Sequence, residues 1–295
     1  MNGGNQPRPK QNAQRWAGLA VLAAALILVC LFPQLFGEAR GAGAPTVSGG
    51  DAVHFIDVGQ GDASLIESGG EYVLIDGGTG LTEDALVNYL ESCGVKRFRA
   101  IIATHPHEDH IGGLDKVLSS FPTEAFYMPD RDAATTCFEQ MLDAVEAQQL
   151  EVTIPEPGDT LRFGNGILEF LSPASGNDYE ETNDFSIVTR LTLGDLKVLF
   201  MGDAEKTVER ELLRSGFQLD CDVIKLGHHG SSSSSSEAFL RAASPETAII
   251  SCAKENDYGH PHRETIETLN RLKIGYRCTY DGTVTLQPQT KDAAA

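Results

Sequence analysis

Short apolar runs, each closed by glycine, aspartate or serine, recur from residue 52 almost to the end of this chain. Ala52 to Val58 is largely apolar and empties into Gly59-Gln60-Gly61-Asp62, which predicts a buried strand and a tight turn. Ala63–Glu67 and Tyr72–Ile75 read as paired strands joined at Ser68-Gly69-Gly70, and Asp76-Gly77-Gly78 closes the second. Thr82 caps a helix with Leu86, Val87 and Leu90 on one stripe, and Gly94 ends it. A strand over 100–104 leads into a polar hexapeptide, and 111–150 read as mainly helical, with loops. After the proline and glycine of 155–158 come strands near 160–163 and 167–172. Residues 185–193 and 196–201 predict a hairpin around Gly194-Asp195. Helix 204–214 stops before Gly216, and strands at 222–226, 247–251 and 275–280 then alternate with helices at 236–243 and 262–273. A final hairpin is expected at Asp281-Gly282. The sum is an α/β (α+β) domain over 51–288, with two mixed sheets face to face and helices outside, then a tail over 289–295.

The N-terminal fifty residues follow another pattern. Residues 1–15 carry Arg8, Lys10 and Arg15, and 16–32 are uncharged and almost wholly apolar. Residues 33–50 read as a linker of Pro, Gly, Ala and Ser. A basic flank before an apolar run predicts a transmembrane anchor or a signal peptide, and the domain is expected outside the cytoplasm. Charge sharpens this. Of a formal net −19, residues beyond 50 carry 19 basic against 41 acidic side chains, a net of −22. Such a domain repels polyanions at long range, which counts against a DNA-coating role but not against a small phosphorylated substrate. Cys93, Cys137, Cys221, Cys252 and Cys278 are scattered without metal-knuckle spacing and read as free thiols. The serine run 231–236 reads as a polar loop whose last residues cap the helix at 237.

The chemistry concentrates in His105-Pro106-His107-Glu108-Asp109-His110, which holds three of the eight histidines. Imidazole and carboxylate together suit zinc or a similar first-row ion. In an extended loop His105 and His107 can share one ion, while Asp109 and His110 take a second. Further ligands must come from elsewhere. Asp203 follows Val198-Leu199-Phe200-Met201-Gly202, His228-His229 follow Val223 to Leu226, and His260-Pro261-His262 follow Ile249 to Cys252. Each lies past the end of a predicted strand.

With Asp57-Val58-Gly59-Gln60-Gly61-Asp62, Asp76-Gly77-Gly78, Asn183-Asp184-Phe185-Ser186, Met201-Gly202-Asp203, Lys225-Leu226-Gly227-His228-His229-Gly230-Ser231 and Tyr258-Gly259-His260-Pro261-His262, the hexapeptide resembles the metallo-β-lactamase fold superfamily. Within it, the series over 52–286 looks like the hydrolase domain of the ComEC/Rec2 proteins of competence and DNA uptake. The resemblance implies a four-layer αββα sandwich with two divalent ions, Zn or Mn, at one edge. It implies His105, His107, Asp109, His110, Asp203, His228 and His260 as ligands, with Asp203 bridging and His260 as the final histidine. Asp76 would orient the ligand loop, and Asp57, Gln60, Asp62, Asn183 and His262 would support the site or meet substrate. The superfamily usually has one more histidine before the bridging aspartate, but none lies between His110 and His228 here. His228, His229, water or Asn183 is left to complete the first ion. ComEC transporters also carry a multi-span channel region, whereas one apolar segment precedes this domain, so no DNA pore is expected of this chain.

The activity these residues suggest is metal-assisted phosphoester or nucleic-acid hydrolysis. Asp109 or Asp203 would orient a water, whichever of His228 and His229 is not a ligand would protonate the leaving oxygen, and Lys225 would offset phosphate charge. Two other readings remain open: a lactam, lactone or thioester hydrolase on the same fold, and a non-catalytic metal-stabilised extracellular binding module.

Overall fold

The computed structural model describes residues 50–174 and 176–289. The expected basic terminus, the apolar segment 16–32, nearly all of the linker and residues 290–295 lie outside them. Among the described residues no helix is long and apolar enough to cross a membrane.

Fourteen strands make two seven-stranded sheets among these residues. The first has the order β14 (Val284–Leu286), β1 (Ala52–Phe55), β2 (Ser64–Ser68), β3 (Glu71–Ile75), β4 (Ala100–Ile102), β5 (Phe126–Tyr127), β6 (Val152–Thr153). The second runs β13 (Gly275–Cys278), β12 (Thr247–Ile250), β11 (Val223–Lys225), β10 (Leu196–Phe200), β9 (Val188–Leu193), β8 (Gly166–Ser172), β7 (Thr160–Phe163). Each sheet is mixed: β3 to β6 and β10 to β13 run parallel, and the other pairs are antiparallel.

The apolar runs explain the layering. Side chains alternate across a strand, so a strand covered on both faces must be apolar throughout. Val73 and Ile75 of β3 and Val198 and Phe200 of β10 enter the core between the sheets. Leu74 and Leu199, between them in sequence, face the outer helices instead. Phe55 and Phe200 stack across the sheet interface, with centroids 5.7 Å apart. Helices α1 (Glu83–Ser92), α2 (Glu108–Ile111), α3 (Leu114–Ser120) and α4 (Thr136–Ala147) belong with the first sheet. Helices α5 (Lys206–Ser215), α6 (Glu237–Ala243) and α7 (Arg263–Leu272) cover the second. The αββα sandwich expected from sequence is the fold.

Three local expectations fail. The last hairpin does not exist: β13 ends in the second sheet, and β14 crosses to pair antiparallel with β1, because Val284 is drawn into the core between sheets. The stretch 111–150 is interrupted by β5, which lies beside β4. Thr82 makes no capping hydrogen bond, and a short turn over Gly80–Thr82 leads into α1 instead.

Candidate metal centre

The sheets bring the predicted donors together at the carboxyl ends of their parallel strands. Asp76 follows β3, the hexapeptide follows β4, Asp203 follows β10 and His228-His229 follow β11. Strand ends in open α/β sheets are where ligands commonly bind. The hexapeptide is extended only through His107, after which Glu108–Ile111 form α2. That turn of helix does not carry His110 away as expected but brings it back beside His105, ring centroids 4.1 Å apart, where the two share Asp203 as a neighbour.

His105 Nε2 and His107 Nδ1 lie 3.0 Å apart. His110 Nε2 lies 3.2 Å from Asp203 Oδ1, and His229 Nε2 lies 3.5 Å from Asp203 Oδ2 and 3.1 Å from Asp109 Oδ2. His105 and His228 present their Nε2 atoms to Asp203 Oδ2 at 3.9 and 4.0 Å. Two bonds of about 2.0–2.2 Å at a tetrahedral angle separate ligand atoms by roughly 3.4 Å. Donor spacings of 3.0 to 4.0 Å around Asp203 are therefore of the order that ligands shared by divalent ions would show.

Backbone and neighbours fix these side chains. Gly202, at φ 52°, turns the chain after β10, and a Cβ there would press on Ser186 and Thr104 at about 3 Å. The Asp203 N–H then donates to Ser186 Oγ at 3.0 Å. Asp76 accepts from the Thr104 N–H at 2.8 Å and the Thr104 hydroxyl at 2.7 Å, and pairs with His110 Nδ1 at 2.7 Å. It thus directs His110 Nε2 toward Asp203, as outer partners of metal-binding histidines do. His229 is held the same way, since its Nδ1 donates to the Ser251 carbonyl at 2.8 Å. His228 and His229 both adopt left-handed backbone, at φ 48° and 53°, a conformation costly for non-glycine residues.

The donor set fits divalent cations. His110 Nε2 and Asp203 Oδ1 are buried side by side without an aligned hydrogen bond, and Asp62 Oδ1 has no partner either. Asp62, Asp76 and Asp203 are almost fully buried, with Asp109 beside them. Burial disfavours ionised Asp203, but the His229 and His110 charges outweigh it and hold the carboxyl well below its ordinary range. Burial also opposes charge on His229, yet Asp203 and the bond to Asp109 push it up to about 10. His110 is raised for the same reason by Asp203 and Asp76. His105 goes the other way, held neutral by burial and then by the His110 charge. Protons on His110 and His229 balance the carboxylates, and metal ions compete for those lone pairs.

Several expected roles move. Lys225 is 2% exposed and ion-paired with Asp62, with a second contact to the Gly202 carbonyl at 3.4 Å. It lies beneath the site and does not line the cavity, so it cannot meet a phosphate as expected. His260 is in none of the close donor groups; His229 stands at Asp109 and His110 instead, because β11 adjoins β10 while β12 lies one strand further out. His260 lines the cavity, its Nδ1 buried without a partner and its pKa lowered to about 4 by burial and then by His229 and His228. His262 accepts from the Ser232 N–H at 2.9 Å, faces the Tyr258 carbonyl at 3.1 Å and packs on His260. Asp57 is exposed and accepts from the Gly59 N–H at 3.1 Å, so it shapes the turn instead of meeting substrate. Gln60 and Asn183 line the cavity.

Sequence reading missed Glu205. Its Oε1 lies 3.0 Å from His228 Nδ1 and accepts from the Ser233 hydroxyl at 2.9 Å, and the His228 bond lowers its pKa. Its place two residues after Asp203 was the available signal. The serine run is not a loose loop. Ser231, Ser234 and Ser235 are buried, Glu209 takes the Ser235 and Ser236 N–H groups, and Ser236 caps α6 as expected.

These donors open into a cavity of about 390 Å³ lined by His107, Glu108, Asp109, Asp203, His228 and His229, among others. Parallel-strand ends in an αββα sandwich, with histidines and aspartates converging on one carboxylate, define a metal-dependent hydrolase of metallo-β-lactamase type. The chain belongs to the metallo-beta-lactamase superfamily, whose family model matches residues 56–254. It is similar to "ComE operon protein 3" of Bacillus subtilis (strain 168), 31% identical over 81% of this chain and 33% of that one. It is similar also to "Competence protein ComA" of Neisseria gonorrhoeae, 32% identical over 71% of this chain and 28% of that one. The chain thus spans about a third or less of these ComEC-like relatives. Among solved structures, the metallo-beta-lactamase fold protein YhfI from Bacillus subtilis has a TM-score of 0.51 at 16% identity, covering 77% of this chain and 95% of that one, a likeness of fold.

Proposed function

We propose that this domain is a metal-dependent phosphodiesterase acting on nucleic acid or a smaller phosphoester. The observation that carries the reading is the convergence of His105, His110, His228 and His229 on Asp203, with His107 beside His105, at the floor of an open cavity. His105, His107, Asp109, His110, His229 and Asp203 would hold two divalent ions, which supply an activated water and polarise a phosphoryl oxygen when bound. The cavity's own charge supports metal dependence: Glu108, Asp109 and Asp203 line it, and they repel an anionic ester unless cations intervene. Asp109, facing the cavity, orients the attacking water. Similarity to a relative named as a competence protein favours a nucleic-acid or related phosphoester substrate over lactam, lactone or thioester. The apolar segment 16–32 after Arg8, Lys10 and Arg15 supports an extracytoplasmic domain, anchored or released.

His228 completes the mechanism. Its side chain is 26% exposed, and Glu205 accepts the Nδ1–H hydrogen bond, so that in the doubly protonated ring Nε2–H faces the site and gives its proton to the leaving oxygen. The test compares two esters. In the zinc- or manganese-loaded chain, His228→Ala should slow cleavage of thymidylyl-thymidine, which needs a protonated leaving group, about 10²-fold. It should slow bis-p-nitrophenyl phosphate far less. Equal losses on both would remove His228 from proton transfer, and a wild-type chain that cleaves neither with either metal would remove the phosphodiesterase reading.

A further inference from the structure

We propose that Tyr258 is a positioning residue that stacks on a nucleobase of the substrate beside the scissile phosphoester. The inference rests on the phosphoester reading above and narrows its substrate to one that carries a base. Tyr258 lines the same cavity as Asp109, His228 and His229, yet the residue is 65% exposed, an unusual state for an aromatic residue in a fold with a full core. One face of the ring lies nearly parallel to His260, at a centroid distance of 5.6 Å and an angle of 18°. An exposed aromatic already stacked on a buried imidazole is a platform for a further flat group.

The backbone beneath it is fixed. Asn256 Oδ1 accepts from the Tyr258 N–H at 3.2 Å and from the His260 N–H at 2.9 Å, while Asn256 Nδ2 donates to the Ala253 and His260 carbonyls. His262 Nδ1 accepts from the Ser232 N–H, so its Nε2 carries the proton and donates to the Tyr258 carbonyl at 3.1 Å. A ring held by its backbone loses little freedom when it binds. Gln60 adds a second observation that points to a ligand. Its Oε1 accepts from the Ala253 N–H at 3.2 Å on this loop, and its Nε2 is buried in the cavity lining without a partner. A base offers a flat face to the first residue and ring-nitrogen or carbonyl acceptors to the second. Stacking also suits an acidic domain, because it attracts substrate without relying on charge.

The test measures binding apart from turnover. The full chain is titrated, with manganese present, with phosphorothioate-linked tetrathymidylate and with an abasic phosphorothioate strand of equal length. The wild type should bind the base-bearing strand about tenfold more tightly, Tyr258→Ala should lose that preference, and Tyr258→Phe should keep it. A wild type indifferent to the bases, or a Tyr258→Ala chain that keeps the preference, would overturn the proposal. So would a Tyr258→Phe chain as impaired as Tyr258→Ala, since that assigns the hydroxyl and not the ring. If base preference follows Tyr258 while the wild type hydrolyses no phosphodiester, the stacking role stands and the catalytic reading fails.

Discussion

Asp203→Ala lowers turnover of bis-p-nitrophenyl phosphate by about 10³-fold or more and leaves the domain folded. The size follows from the role: positioned metal charge contributes several kcal/mol to the transition state, and each 1.36 kcal/mol is tenfold in rate. Asp203 faces His105, His110, His228 and His229 at 3.2 to 4.0 Å, so it is the carboxylate on which four of the site's histidines converge. Removing it takes the shared carboxylate from all four, whereas removing His107 takes away a single donor. The fold should survive, because Asp203 bears on the site and the core between the sheets is apolar. The check is kcat in saturating metal, with circular dichroism on the same sample. Near wild-type kcat would sink the bridging role.

The second large effect falls on stability. Lys225, on β11 of the second sheet, is ion-paired with Asp62, which precedes β2 of the first, and both are almost fully buried. Lys225→Ala leaves the Asp62 carboxylate buried without its cation, which costs about 3–5 kcal/mol. For a domain of this size that is a fall in Tm of about 10 °C. The double variant Asp62→Leu with Lys225→Met should recover most of it, since a buried pair can often be replaced by apolar groups of similar volume. Thermal unfolding of the chelator-treated chain measures both. A Lys225→Ala chain as stable as wild type would mean the pair contributes little to holding the sheets together.

Much of this was legible because burial on both faces leaves a continuous apolar signature. The runs at 72–75, 100–103 and 198–201 marked strands, and the chemistry sat just past their ends. His110 and Asp203 could be placed at the site for that reason, and Asp76 through the family resemblance. What stayed hidden depends on distances between distant segments. A lysine near a strand end reads as solvated until Asp62 of the other sheet is seen beside it. The family resemblance made His260 the expected final ligand, but strand order puts His229 nearer Asp203. The crossing of β14 to β1 joins residues more than 200 positions apart, and no local pattern records it. Serine repetition hid an ordered turn, because its order is supplied by Glu209 and Lys206 elsewhere in the chain.

The most direct measurement is the metal content of the full chain, by native mass spectrometry after loading with zinc or manganese. The arrangement around Asp203 predicts about two divalent ions per wild-type chain and at most one in Asp203→Ala. A wild-type chain that takes up no ion from an excess of either metal would contradict a metal-dependent hydrolytic centre here.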